Sequence, residues 1–314
     1  MSTNPEDSLL EAVKNFVPNL SSSKHKGQDG RIGVFGGSLE YTGAPFFAGM
    51  SALRTGADLV HVFCCQSASV PIKSYSPELM VHPVLDHSQA LSKIEPWLER
   101  LNVILIGPGL GRDEEIFRTI SELIKVCRKL SKPVIIDADG LFLISQNPDL
   151  VKNYPQLILT PNAMEFTRLV KAYLNKDIPP ASVVEDSYIK DLAKAIGGDG
   201  VTVLRKGSRD AIGGNTSAEV IGCSVSGSGR RCGGQGDLLG GALSVFTTWA
   251  LRHTSSETVQ HQQRSVALAC YAACRLTREC NAAAFNLKGR GALASDMLQE
   301  LPSTFSRLFE NRQP

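Results

Sequence analysis

Neither sign of charge dominates this chain: 33 Lys and Arg stand against 31 Asp and Glu, a formal net charge of +2 over 314 residues. So even a balance offers no basic field for nucleic acid or an anionic membrane, and neither is expected as a partner. Long hydrophobic runs are missing too; no apolar stretch reaches the ~20 residues a spanning helix needs. The opening residues, Met1 to Asp7, are polar and partly acidic, unlike a secretory signal or a transit peptide. The chain as written is expected in the cytosol, with a mitochondrial form requiring an alternative N-terminus. No Cys-x-x-Cys occurs and no His pair completes a set, so the eight cysteines make no zinc site. Buried free thiols are expected: Cys64 and Cys65 on opposite faces of a strand, Cys270 and Cys274 on one helical face. Cys232 differs, because it lies between Arg230–Arg231 and a helix start, a setting that favours thiolate. No internal repeat or low-complexity linker divides the chain. Only Ile178–Ser182, with two prolines, suggests a surface loop. One domain over 1–314 is expected, with residues 1–29 as a leading helix (Asp7–Phe16) and a loop.

What is present is a hydrophobic fraction of 42%, enough for a sizeable core. Short apolar runs at Arg31–Phe35, Asp58–Cys64, Asn102–Ile106, Pro133–Ile136, Leu157–Leu159 and Val201–Leu204 alternate with helical patterns such as Phe46–Thr55 and Glu114–Leu130. Strands without polar alternation, separated by helices, predict a mostly parallel sheet covered on both faces: an α/β/α sandwich. After Lys206 the pattern changes. Asp210–Ile212 and Glu219–Cys223 read as short strands with Gly213-Gly214-Asn215 as their turn, an antiparallel hairpin at one edge. Gln263–Glu279 and Leu293–Leu301 read as helices, separated at Gly289-Arg290-Gly291.

Ligands of such sheets sit outside the carboxyl ends of the strands. Those ends carry nearly all of this chain's punctuation: Gly36-Gly37-Ser38, Gly107-Pro108-Gly109-Leu110-Gly111, Asp137-Ala138-Asp139-Gly140, Thr160-Pro161-Asn162-Ala163-Met164-Glu165 and Arg205-Lys206-Gly207-Ser208. A dinucleotide fingerprint is excluded, because Gly30, Gly33 and Gly36 are three apart and no acidic residue ends the second strand. Gly36-Gly37 needs nothing beyond a tight turn and close helix packing.

The chain is organised around Gly227 to Asp237, which runs directly into the apolar segment Leu238–Leu251. Glycines ahead of a helix let successive backbone N–H groups converge, and the helix dipole adds partial positive charge there. That makes an anion site suited to phosphate. The ending is not Gly-Lys-Ser/Thr, so this is no P-loop. Asp237 reads two ways: as a cap for free N–H groups, or as a carboxylate facing a hydroxyl beside the phosphate. Asn162 and Glu165 likewise form a capping box or hold a hydrated Mg²⁺, which keeps several waters and takes few carboxylates. Lys206 is a solvated loop lysine or a partner of nucleotide phosphate. Asp137 and Asp139 are turn residues or partners of the metal's water.

Gly234-Gln235-Gly236-Asp237 before a helix, with Asn162-x-x-Glu165 upstream, resembles the paired signature of the ribokinase-like superfamily. Tyr41-Thr42-Gly43-Ala44, Gly107 to Gly111, Asp137 to Gly140, Lys206-Gly207 and Arg230 to Asp237 narrow the resemblance to the eukaryotic ATP-dependent NAD(P)H-hydrate dehydratases. It runs from about Gly30 to the C-terminal helices. It implies a ribokinase-like fold, here without the strand lid of the sugar kinases, and a carbon–oxygen lyase that uses ATP and Mg²⁺. The substrate implied is the S form of hydrated NADH or NADPH. Phosphorylation of its 6-hydroxyl and loss of phosphate would return NAD(P)H, ADP and phosphate. Carried over residue by residue, Asp237 is the base, and Gly233, Gly234, Gln235 and Gly236 hold the charge on the transferred phosphoryl. Lys206, Gly207, Ser208, Arg209 and Asp210 contact ATP, as do Gly227, Ser228, Gly229, Arg230, Arg231 and Cys232 ahead of the glycine turn. Ala44, Gly109, Asn162, Ala163, Met164 and Glu165 line the hydrate pocket with Phe166, Thr167 and Arg168, and Glu165 reaches Mg²⁺ through water. Gln235 stands where many sugar kinases carry Ala or Thr, and the backbone still donates. A separate NAD(P)H-hydrate epimerase is the implied functional neighbour; the oligomeric state, a homo-oligomer included, is open. Two alternatives remain: a small-molecule kinase of the hydroxymethylpyrimidine, thiazole or pyridoxal type, and a nucleotide-binding protein without chemistry.

Overall fold

The computed structural model describes residues 5–179, 185–217 and 219–310. Among these residues every strand lies in one nine-stranded sheet, so none is left to form a separate lid. From one edge to the other run β3 (Met80–Pro83), β2 (Leu59–Cys64), β1 (Arg31–Phe35), β4 (Val103–Ile106), β5 (Val134–Ile136), β6 (Leu157–Leu159), β7 (Val201–Arg205), β8 (Asp210–Gly214) and β9 (Ile221–Cys223). The first seven are parallel, and β8 and β9 continue antiparallel. β4 and β5 are buried at every position, as a sheet covered on both faces requires.

Helices form two layers. One core packs α2 (Gly43–Thr55), α9 (Gln235–His253), α10 (Val259–Lys288) and α11 (Ala294–Phe309) against the sheet, with α1 (Pro5–Lys14) beside α10. The other holds α4 (Ala90–Leu98), α5 (Glu114–Lys129), α6 (Ala138–Gln146), α7 (Ala163–Leu174) and α8 (Ser187–Ile196). Between β2 and β3 lies α3 (Gln66–Tyr75). Cys64 and Cys65 fall in opposite cores, as strand alternation demands. All eight cysteines are free, and only Cys232 is not buried.

The structure corrects the expected hairpin. Gly213 and Gly214 are not its turn but the end of β8, paired with Val203 and Thr202 of β7. Glycine suits them there, since a Cβ on Gly214 would meet the Gln263 side chain and the Val201 carbonyl at 2.4 and 2.8 Å. The second strand is correspondingly short, Ile221–Cys223. β3 and α3 escape the sequence pattern because Met80–Pro83 is only partly buried and Pro71 sits inside its helix. The proposed loop at Ile178–Ser182 falls mostly outside the described residues, which stop at 179 and resume at 185.

Candidate active site

The carboxyl ends of five adjacent strands are knitted together by backbone hydrogen bonds. Gly107 donates to Phe35, Asp137 to Ile106, Thr160 to Ile136, and Lys206 to Pro161, at 2.8–3.2 Å. The row is therefore one continuous rim. Gly107 shows why side chains are excluded from part of it: φ is +126° and a Cβ would lie 1.8 Å from the Asp137 carbonyl oxygen. Gly36 packs as closely on Pro108, the tight approach expected for that turn.

Over this rim starts α9. Gly234 caps it in the left-handed region, φ +93°, and makes no side-chain cap hydrogen bond. Asp237 is thus not the cap; it sits in the first turn. A helix start left open in this way keeps its donors and its partial positive charge for a ligand. The start is held rigidly from behind, where the Ser51 hydroxyl of α2 donates to the Leu238 carbonyl at 2.6 Å.

Beneath the open turn lies a charge cluster. Lys206 Nζ donates to Asp137 Oδ1 at 2.7 Å, and both side chains are largely buried. A Cβ on Gly236 would stand 3.5 Å from that ammonium and 3.8 Å from Asp137 Oδ2, so the cation lies directly under the glycine turn. Lys206 is therefore no solvated loop lysine. Burial alone would lower its pKa, but Asp137, Glu165 and Asp237 more than offset this and hold it charged. Asp237 responds oppositely. Burial, then the Asp137 charge, push its carboxyl up to about 7 against the pull of Lys206. Glu165 is raised as well, by burial first, with Lys206 opposing.

Asn162 and Glu165 do form a full capping box at the start of α7: Glu165 N donates to Asn162 Oδ1 at 3.0 Å and Asn162 N to Glu165 Oε2 at 2.7 Å. The structural reading holds, and it leaves Glu165 beside Lys206 and Asp137. No described group of three or more acidic, His or Cys side chains is placed to hold a metal directly. Glu165 would instead hold a hydrated Mg²⁺ through water, where the ion would offset phosphate charge.

A cavity of about 1160 Å³ opens beside this cluster. Of the expected nucleotide contacts, Lys206 to Asp210, Gly227 to Gly229, Arg231, Gln235 and Gly236 line it. Arg230, Cys232, Gly233 and Gly234 lie off its wall; Arg230 Nε turns instead to the Ala292 carbonyl, and Gln235 Nε2 donates to Cys232 Sγ. Asp210 lines the cavity with its carboxylate already engaged, accepting from Gly207 N at 2.9 Å and Arg278 Nε at 2.7 Å. It shapes the Lys206–Gly207 turn from the cavity wall.

The expected hydrate residues divide. Asn162, Ala163 and Phe166 line the large cavity itself. Met164 is exposed, the Thr167 hydroxyl donates to the Ala163 carbonyl, and Arg168 lies over the Phe142 ring. Ala44 and Gly109 meet across the rim: a Cβ on Gly109 would be 3.2 Å from Ala44 Cβ and 2.6 Å from the Tyr41 carbonyl oxygen. Phe47 of α2 approaches Gly234, so this pair lies on the α2 side of the α9 start. Asp139 accepts from Gly111 N and Arg112 Nε, bracing the same loop.

Two residues of the site carry no sequence signal. Asn281 of α10, buried, accepts from both Ser228 N (2.6 Å) and Ser228 Oγ (2.8 Å). Arg278, one turn earlier, donates to Asp210 and to the Gly207 and Val225 carbonyls. An amphipathic helix read alone gives no reason to aim these side chains at a loop some 50 positions away.

An open, mostly parallel sheet with an antiparallel edge and a glycine-headed helix over its strand ends is the ribokinase-like architecture. A ribokinase-like superfamily protein from Enterococcus faecalis shares it at a TM-score of 0.73, with 22% identity over 96% of this chain and 95% of that one. So does an ADP/ATP-dependent NAD(P)H-hydrate dehydratase from Bacillus subtilis co-crystallised with ATP/Mg²⁺, at 0.65 and 23% identity over 95% and 97% of the two chains. The chain belongs to the NAD(P)H-hydrate dehydratase family, whose model matches residues 32–303. An ATP-dependent (S)-NAD(P)H-hydrate dehydratase from Aedes aegypti is 53% identical over 97% of this chain and 86% of its own length. Its counterpart from Homo sapiens is 48% identical over 97% and 85%.

Proposed function

We infer that this protein catalyses the ATP-dependent dehydration of the S form of hydrated NADH and NADPH, restoring NAD(P)H and releasing ADP and phosphate. One observation carries the chemistry. Asp237 is a carboxylate with its pKa raised to about 7, in the first turn of an uncapped helix above Lys206. A base poised near neutral pH beside a phosphate cradle suits deprotonation of an alcohol at phosphorus.

ATP enters as co-substrate in the large cavity, its terminal phosphates between Lys206 and the N–H groups of Gly233 to Gly236. Asp237 takes the proton of the 6-hydroxyl as that oxygen bonds to the γ-phosphorus and the bond to ADP breaks. The backbone N–H groups and Lys206 hold the charge on the phosphoryl oxygens without reorganising. Hydroxide, a poor leaving group, has then become phosphate. The ring nitrogen lone pair expels it, and loss of a proton from the neighbouring carbon restores the dihydropyridine. Mg²⁺, when bound near Glu165, neutralises phosphate charge.

A base on one side of the carbinol serves one epimer. We propose that a separate epimerase supplies the S form from the R form, and that the protein works in the cytosol. The test mixes purified protein with hydrated NADH, ATP and Mg²⁺ and follows recovery of the dihydronicotinamide absorbance with release of phosphate. Recovery without ATP, or phosphate retained on the organic product, would overturn the reading.

A further inference from the structure

Two arginines of the rim share one aromatic ring. Arg112, just past the Gly107–Gly111 turn, holds its guanidinium carbon 4.1 Å from the centre of the Phe142 ring of α6. Arg168 of α7 stands 5.3 Å from the same centre. The two come together because α5, α6 and α7 follow the adjacent strands β4, β5 and β6. A ring face attracts each cation, yet the cations repel one another. Asp139 offsets part of that charge, accepting from Arg112 Nε at 3.1 Å. Its other oxygen is taken by Gly111 N, also at 3.1 Å. Glu165 feels Arg168 too, but Lys206 acts on it more strongly.

Donors are left over. The terminal nitrogens of Arg112 and the whole guanidinium of Arg168 make no hydrogen bond or salt bridge among the described residues. The Arg112 side chain is 57% exposed, so its free edge is open to a ligand. Neither arginine lines the large cavity assigned to ATP. Their place is the hydrate's part of the rim. Arg112 follows the loop that brings Gly109 against Ala44, and the Asp139 that holds it lies in the same turn as Asp137, the partner of Lys206.

A phosphate is the anion such a fork matches, through paired N–H···O bonds that a lysine cannot reproduce. We propose that Arg112, with Arg168, seats the pyrophosphate of the hydrated dinucleotide, one ribose away from the ring that presents its 6-hydroxyl to Asp237. The assignment rests on the dehydratase reading. It adds the group that favours a whole dinucleotide over its nicotinamide riboside half. The hydrates of NADH and NADPH share the pyrophosphate, so the seat serves both. Stacking on Phe142 holds the guanidinium groups in place before the substrate arrives, which lowers the entropy lost on binding.

The probes are NADH, NADPH and dihydronicotinamide riboside, which lacks phosphate, each titrated onto the full chain by dihydronicotinamide fluorescence. Wild type is expected to bind NADH at least about tenfold more tightly than the riboside. Arg112→Ala is expected to weaken NADH and NADPH alike by about tenfold, the loss of charge-assisted hydrogen bonds, and to move the riboside by less than about twofold. Arg168→Ala breaks no hydrogen bond within the described protein and is expected to do the same; it replaces Arg112→Ala if that variant disturbs the Asp139 loop. Arg112→Lys should fall between. ATP binding in the other cavity reports an intact fold. A riboside bound by wild type as tightly as NADH, equal losses for NADH and the riboside, or a loss confined to NADPH, which would put the 2′-phosphate there, would each overturn the proposal. Turnover of hydrated NADH is scored separately. No turnover with arginine-dependent NADH binding faults the dehydratase reading alone, and turnover with arginine-independent binding faults the seat alone.

Discussion

The sharpest consequence of the site is the pH dependence it imposes. Asp237 must be ionised to accept a proton, and burial with the Asp137 charge raises its pKa to about 7. Rate therefore rises with pH through neutrality. A group with that pKa is ~91% ionised at pH 8 and ~9% at pH 6, so kcat/KM should fall roughly tenfold between them. Had the carboxyl kept its ordinary value of 3.8, the change over that interval would be under ~1%. The assay is initial rate of dihydronicotinamide recovery at subsaturating hydrate across pH 5.5–8.5, with ATP and Mg²⁺ in excess. Asp237→Asn is expected to lower kcat by about 10²–10⁴ and to flatten what remains. The control decides who owns the limb. If the acid limb survives in the Asp237→Asn residual rate, the titration belongs to ATP or substrate and the base assignment fails. A limb centred near pH 4 would equally refute it. The same shift predicts a stability signature. The raised carboxyl favours the native state only while protonated, so that contribution is present below about pH 4 and disappears as pH rises to about 7. Asp237→Asn should accordingly stabilise the fold more at pH 8 than at pH 5, by a few degrees in melting temperature.

Three further outcomes follow from other parts of the molecule. Asn281→Leu removes the acceptor for Ser228 N and Oγ, and should raise KM for ATP roughly tenfold while changing kcat much less. Gly107→Ala places a Cβ 1.8 Å from the Asp137 carbonyl at φ +126°, and urea unfolding should show a loss of at least about 3 kcal/mol. His61 lies buried against Trp97 and His82, Nδ1 to Nε2 at 3.0 Å, and burial, then His82, lower its pKa to about 4. Its stabilising neutral state is complete above about pH 6.5 and lost as pH falls towards 4, costing up to roughly 3 kcal/mol. His61→Phe should flatten that slope in urea midpoints measured across the window; an unchanged slope would refute the assignment.

Much of the site was legible because its parts are local. The Gly233-Gly234-Gln235-Gly236 turn ahead of an apolar segment, the Asn162–Glu165 capping box and the glycine endings of β1 and β4 are each written in a few consecutive residues. So were the buried parallel strands, whose unbroken apolar runs signal cover on both faces. The reading failed where short-range pattern and packing disagree. Gly213-Gly214 looks like a turn until the Gln263 side chain is seen to need the space a Cβ would take. Nothing local to Asp210 announces that Arg278 of α10 donates to its carboxylate.

From the chain alone came the strand–helix alternation, the balanced charge and the phosphate-binding turn, since each depends on neighbours within about one helical turn or strand. Tertiary structure alone decided which carboxylate titrates near neutrality. Desolvation, the Asp137 charge and the Lys206 ammonium act through space, from residues 100 and 31 positions away in the chain. Only folding sets those distances, and with them the strength of a charge's hold on its neighbours.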